Sequence, residues 1–247
     1  MRQIALVTGA SRGIGRAIAI ALAGEGFDIA CFARDREKLK DTVTLIEASG
    51  GKASIHLGDV GIEQDIENLV AEVIQTHGRI DVLVNNAGIT EGAPVRKISP
   101  ARFREVLEIN LIAPYVLSRQ VHLHMKDQGG GVIINIGSVY GSQGVANNAP
   151  YCTSKAGLEG LTRALAREWV KDHIRVLCVA PGFVRTDMVG DAFGDTEVEK
   201  LVVSRIPMKR FGEAEEIGRF VAFLATSKAG FVTGETLVID GGQRSLV

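Results

Sequence analysis

A phenol and a primary amine four positions apart, Tyr151 and Lys155, are the side chains of this sequence best suited to passing a proton. At that spacing near the start of a helix they share one face. A free phenol ionises near ~10, so acid–base work at neutral pH asks for a shift of about 3 units, roughly 4 kcal/mol, and a neighbouring ammonium has the sign to lower it. Taken alone the pair is a weak signal, because a half-buried Tyr beside a snorkelling Lys is common.

A second set of residues suits a phosphate. Thr8-Gly9-Ala10-Ser11-Arg12-Gly13-Ile14-Gly15 follows an apolar run and leads into a helical pattern. In that context Gly9 allows the sharp turn, Gly13 lets the backbone approach a pyrophosphate, Gly15 permits close packing of helix on sheet, and the helix N-terminus faces the anion. No Gly-Lys-Ser/Thr follows, which argues against a nucleoside triphosphate loop. At the end of the next apolar run, where an NAD site needs an acid for the ribose hydroxyls, stand Ala33 and Arg34. With Arg12 in the glycine turn, two guanidinium groups are offered to a 2′-phosphate, so NADP is expected over NAD.

The elements that must hold these groups alternate along the chain. Apolar runs at 4–7, 28–32, 54–57, 82–85, 132–136, 175–179 and 236–239 read as strands buried on both faces. Between them, 14–23, 36–48, 65–76, 103–126, 154–171 and 215–225 carry apolar residues at spacings of three and four. The expectation is an α/β chain: a doubly wound (Rossmann) seven-stranded parallel sheet with helices on both faces, folded as one domain over 1–247. Ligands then belong beyond the carboxyl ends of the strands. The segment 183–211 lacks a clean period and is expected to be a mobile lid.

Composition limits the partners. With 28 Lys and Arg against 29 Asp and Glu the net charge is −1, which gives no electrostatic reason for nucleic acid or an anionic membrane. No segment approaches bilayer length and no signal-peptide core is visible, so a soluble, cytoplasmic protein is expected. Cys31 and Cys178 lie in apolar runs and are expected to pack as small hydrophobes, whereas Cys152, next to Tyr151, is expected to be partly accessible. His122 and His124, two apart, point in different directions on a helix, and no metal site is expected.

Several short motifs occur in order: the Thr8–Gly15 turn, Asn85-Asn86-Ala87-Gly88, Asn110, Ser138, Tyr151-Cys152-Thr153-Ser154-Lys155 and Pro181-Gly182. Together they resemble the short-chain dehydrogenase/reductase family over essentially the whole chain, and within it most of all the bacterial 3-oxoacyl-[acyl-carrier-protein] reductases. The resemblance implies that Tyr151 is the acid or base at the substrate oxygen, that Ser138 hydrogen-bonds that oxygen, and that Asn110 holds a relay water. Lys155 would bind the nicotinamide ribose and lower the Tyr151 pKa. The implied cofactor contacts are Gly9, Ser11, Arg12, Gly13, Ile14, Gly15 and Arg34, with Asp59 and Val60 at adenine. Asn86, Ala87 and Gly88 would lie by the adenosine ribose, and Pro181, Gly182, Val184 and Thr186 at the nicotinamide end, with Tyr151 and Lys155 touching both partners.

The activity implied is NADP-dependent reduction of a ketone, a 3-oxoacyl thioester first, as in fatty acid biosynthesis. Another ketone or alcohol (steroid, sugar-derived or small), or a non-catalytic NADP-binding sensor or scaffold, stands as an alternative. Phe183, Met188, Val189, Phe193, Leu201 and Val202 in the lid suit an acyl or ring substrate, or a subunit contact. A homotetramer is also implied, with 103–126 and 154–171 across one two-fold interface and the C-terminal strand region across another. An acyl carrier protein is the candidate partner that the subgroup brings. Against it, Lys126-Asp127-Gln128 and Lys171-Asp172-His173 put an acid where an anionic carrier favours a cation.

Overall fold

The computed structural model describes residues 2–186 and 196–245. Seven parallel strands form one sheet, β1 Ile4–Thr8, β2 Asp28–Ala33, β3 Ala53–Leu57, β4 Val82–Asn85, β5 Gly131–Ile136, β6 Ile174–Pro181 and β9 Thr236–Ile239, in the order β3-β2-β1-β4-β5-β6-β9. The order reverses between β1 and β4, and this doubly wound pattern places the crevice there. Two further strands of two residues, β7 Val184–Arg185 and β8 Gly212–Glu213, pair with each other.

The helices are α1 Gly13–Gly24, α2 Arg36–Ala48, α3 Glu63–His77, α4 Pro100–Leu107, α5 Ala113–Asp127, α6 Ala149–Trp169, α7 Thr196–Ser204 and α8 Ala214–Ala225. Period-two alternation in β1 divides the core. Ala5 and Val7 join the layer under α1, α2 and α8, whereas Ile4 and Leu6 join the layer under α3, α5 and α6. All five β1 residues are buried, as a central parallel strand requires.

Two expectations are corrected. The helix expected over 103–126 is broken: α4 ends at Leu107, a π turn spans Glu108–Ile112, and α5 starts at Ala113 with Pro114 in its first turn. The edge strands are not buried on both faces, since β3 is mostly half-buried and β9 half-buried throughout; an edge has a neighbour on one side only. The described part of 183–211 contains α7 and β7, one strand of the short pair. Among the described residues no helix is long and apolar enough to cross a membrane. Cys31 and Cys178 are buried and Cys152 is intermediate, all three as free thiols.

Candidate active site

The carboxyl ends of β1 and β4 are locked by one hydroxyl. Thr8 Oγ1 donates to Val84 O at 3.2 Å and accepts from the backbone N–H groups of Asn86 and Ala87 at 3.0 and 3.1 Å. Asn86 returns the contact, its Nδ2 donating to Thr8 O at 2.9 Å. This lock leaves no room for side chains in the turn. A Cβ on Gly15 would strike Gly9 O, and one on Gly9 would sit 2.8 Å from Asn86 Nδ2. Gly9 and Gly13 also have φ of 66° and 53°, the left-handed region that favours glycine. A backbone so bare at a helix N-terminus fits a pyrophosphate.

Other expected cofactor residues gather at the same edge. A Cβ added to Gly13 would lie 3.4 Å from Thr186 Cγ2, so the first turn and the segment after β6 approach each other. Val184 and Val60 are buried. Gly182 is packed against Asp240, with its N–H donating to Ile239 O at 3.0 Å. Arg34 stands at the far end and pairs with Asp59, Nη1 to Oδ2 at 3.3 Å. Asp59 is itself anchored, its Oδ1 accepting from Gly61 N at 2.9 Å.

Tyr151 and Lys155 occupy the first turns of α6 and share a face. Lys155 is 5 % exposed, and its Nζ donates to Ile136 O at 2.7 Å. Stripped of water, the ammonium is pushed down to about 8. Burial pushes the Tyr151 phenol up to about 12, with a hydrogen bond to Ser138 pulling the other way. The expected lowering of Tyr151 by Lys155 is therefore not what the chain alone produces. The ammonium lies 5.5 Å from the centroid of the Tyr151 ring and is held by a carbonyl, and desolvation of the phenol outweighs it.

Ser138 caps the turn after β5, where its Oγ also accepts from Tyr140 N at 3.2 Å. Asn110 lies in the π turn, 1 % exposed. Its side chain is fully used: Oδ1 accepts from Ile89 N at 2.9 Å, and Nδ2 donates to Ile89 O at 2.8 Å and to Ser154 Oγ at 3.0 Å. It thereby braces the loop after β4 against α6. Gly88 fits between them, where a Cβ would meet Asn110 Oδ1 at 3.2 Å and Lys155 Nζ at 3.8 Å.

Sequence reasoning missed Tyr140. Its ring meets Tyr151 edge-on, centroids 6.3 Å apart, and Phe183 in the same way at 6.2 Å, which links the proton-handling residue to the start of the expected lid. Its position two residues after Ser138 was the available signal. It also missed the C-terminal turn as a support: Gln243 Oε1 accepts from Phe183 N at 3.3 Å, and Gly241 O accepts from Met208 N at 3.1 Å. Met188, Val189 and Phe193 lie outside the described residues.

A family model described as Enoyl-(Acyl carrier protein) reductase matches residues 9–244. The chain is 39 % identical to the 3-oxoacyl-[acyl-carrier-protein] reductase of Staphylococcus epidermidis, over 98 % of this chain and 99 % of that protein. It is 38 % identical to the acetoacetyl-CoA reductase of Rhizobium meliloti over the same shares. A solved structure from Beutenbergia cavernae, provisionally named an NAD(P)-dependent gluconate 5-dehydrogenase and holding NADP at low occupancy, superposes with a TM-score of 0.94 at 39 % identity, covering 98 % of this chain and 97 % of that one. With this likeness running the length of the chain, the protein belongs to the short-chain dehydrogenase/reductase family, oxidoreductases that act on alcohol and keto groups with a nicotinamide cofactor.

Proposed function

We propose that the protein reduces the keto group of a 3-oxoacyl thioester with NADPH. The observation that carries the reading is the Tyr151 ring with the buried Lys155 ammonium 5.5 Å from its centroid, in the company of Ser138: burial keeps the phenol protonated where a carbonyl oxygen would be held. A nicotinamide held there would supply the hydride for the carbonyl carbon. Tyr151 gives its proton to the oxygen as charge develops there, and Ser138 donates a hydrogen bond to the same atom. Lys155 would hold the nicotinamide ribose hydroxyls. Because the Asn110 side chain is spent on Ile89 and Ser154, the group left to hold a relay water is its main-chain carbonyl in the widened turn.

A thioester is favoured over a polyol by the walls. A cleft of about 320 Å³ beside the start of α6 is lined by Val95, Ile98, Pro100, Phe103, Arg104 and Ala149. Apart from Arg104 it is apolar, which suits an acyl chain ending in an anionic carrier group. Tyr140, edge-on to Tyr151, and Phe183, edge-on to Tyr140, add aromatic surface near the phenol. The segment 183–211 serves as lid, with Leu201 exposed on α7. Arg34 and Arg12 would receive the 2′-phosphate of NADP.

Coenzyme A fits the carrier better than acyl carrier protein. Asp172 sits 3.3 Å from Lys126 and 2.9 Å from His122, so the cation at the end of α5 is already paired. The chain would act as a single domain in the cytoplasm and as a homotetramer. Exposed Ile112, Tyr115 and Leu123 along the α5 segment offer one apolar interface, and half-buried β9 with fully exposed Phe231 offers another.

The test is oxidation of NADPH and of NADH over a panel of acetoacetyl-CoA, a 3-oxoacyl carrier protein, small ketones, steroids and sugar ketones. Fastest turnover with NADPH and acetoacetyl-CoA is expected. A sugar ketone as best substrate would overturn the substrate class, and tight NADPH binding with no turnover of any ketone or alcohol would make the protein a sensor.

A further inference from the structure

The turn that follows β9 is braced from within. Asp240 Oδ1 accepts from Gly242 N at 2.8 Å and its Oδ2 accepts from Arg244 N at 2.6 Å. Gly241 and Gly242 have φ of 62° and 87°, which a residue with a side chain adopts only under strain. So shaped, the turn meets both ends of 183–211. At the far end Gly241 O accepts from Met208 N at 3.1 Å, and a Cβ on Gly242 would lie 3.0 Å from the Pro207 ring. At the near end the half-buried Gln243 turns its Oε1 to Phe183 N, a hydrogen bond of 3.3 Å. The same oxygen lies 2.8 Å from the place of a Cβ on Gly182. Phe183 O in turn accepts from Gly212 N at 2.9 Å, so both main-chain polar groups of Phe183 are held.

From Phe183 a line of rings leads to the phenol that handles the proton. Phe183 meets Tyr140 with centroids 6.2 Å apart and planes at 89°, and Tyr140 meets Tyr151 at 6.3 Å and 85°. On another side Phe183 lies 6.0 Å from Phe211, at the end of the same segment. Edge-to-face pairs have a preferred geometry, because the positive edge of one ring points at the negative face of the next. A displaced Phe183 therefore disturbs Tyr140, and a displaced Tyr140 disturbs Tyr151.

We propose that Gln243 is a positioning residue for Tyr151: its side-chain carbonyl holds the Phe183 peptide, and the rings of Phe183 and Tyr140 carry that placement to the phenol. The proposal rests on the reading of Tyr151 as the proton donor in ketone reduction. A general acid must stand within hydrogen-bond reach of the oxygen it protonates, and misplacement by about 1 Å is enough to slow the step. Gln243 lies away from the glycine turn that suits the pyrophosphate, so its loss should fall on the chemical step more than on cofactor affinity.

The test is a double-mutant cycle read by single-turnover oxidation of bound NADPH, with the ketone of the panel above that wild type reduces fastest. Gln243→Met keeps the length of the side chain and removes the acceptor, Gln243→Glu keeps the acceptor, and Tyr140→Leu breaks the line of rings. Gln243→Ala is the second variant should Gln243→Met not fold, and far-UV circular dichroism checks folding throughout. Gln243→Met and Tyr140→Leu should each slow the single turnover by about fivefold, and the pair together no more than the slower single variant, which is the mark of two residues acting along one line. Gln243→Glu should stay within about twofold of wild type, and NADPH affinity within about threefold in all of them. A folded Gln243→Met or Gln243→Ala with the wild-type rate would overturn the proposal, as would losses that multiply in the double variant. Tyr151→Phe serves as the reference: if it keeps the wild-type rate, or if wild type turns over no ketone, the reading of Tyr151 itself fails and takes the proposal with it.

Discussion

The turn after β1 and the pocket around Tyr151 lie along the same end of the sheet and are built in opposite ways. The turn is backbone: Gly9 and Gly15 are bare because Asn86 and Gly9 O fill the space a Cβ would need, and one hydroxyl, Thr8, ties two strands. The pocket is side chain: Tyr151, Ser138 and Lys155 have their protons placed by desolvation and by a few hydrogen bonds. Binding the cofactor therefore depends on shape, and the chemistry depends on electrostatics. Mutations in the two regions should fail differently.

The largest effect on cofactor affinity is expected in the turn. Gly15→Ala forces a Cβ onto Gly9 O, and NADPH affinity, followed by fluorescence titration, should fall by about a hundredfold or more, in keeping with steric losses of several kcal/mol. Retained affinity would show that the turn yields. Thr8→Val keeps the shape and removes the lock, leaving the Asn86 and Ala87 N–H groups without their partner. Urea unfolding should register a loss of about 1–3 kcal/mol.

Effects in the pocket should instead appear in pH dependence. Lys155 is held down to about 8 while Tyr151 is held up to about 12, so at neutral pH the amine is charged and the phenol is protonated. As pH rises through about 8 the cation is lost while the phenol stays protonated, and kcat/KM for ketone reduction should fall with the loss of one proton. Lys155→Arg, which stays charged, should lack that descending limb even if its activity is lower. The smallest effect is expected at the nucleotide's far end. Arg34→Ala should raise KM for NADPH by about tenfold and leave KM for NADH within about twofold, consistent with one charge-assisted contact of about 1.5–3 kcal/mol. Equal changes for both cofactors would place the 2′-phosphate elsewhere.

What the sequence discloses follows the same division. Backbone-built features leave marks in residue type and spacing, so the strand 82–85, the helix 36–48 and the glycine turn are legible in the residues themselves. Features created by packing are not. The apolar period of 103–126 runs through Asn110 without a break, yet the side chain's bonds to Ile89 and Ser154 coincide with a π turn there. The spacing of Tyr151 and Lys155 predicts a pair but not the direction of the Tyr151 shift, because burial depends on Tyr140, Ser138 and the rest of the fold around them. The half-buried edge β9 also follows from strand order, which periodicity does not contain.

The central claim is that Tyr151 donates the proton once the cofactor is bound. It is tested most directly by Tyr151→Phe, measured in parallel for NADPH affinity and for turnover of acetoacetyl-CoA. The account predicts an affinity within about twofold of wild type and a kcat lower by about 10²–10⁴-fold, the range for loss of a positioned general acid. Turnover within about threefold of wild type, with affinity unchanged, would contradict it.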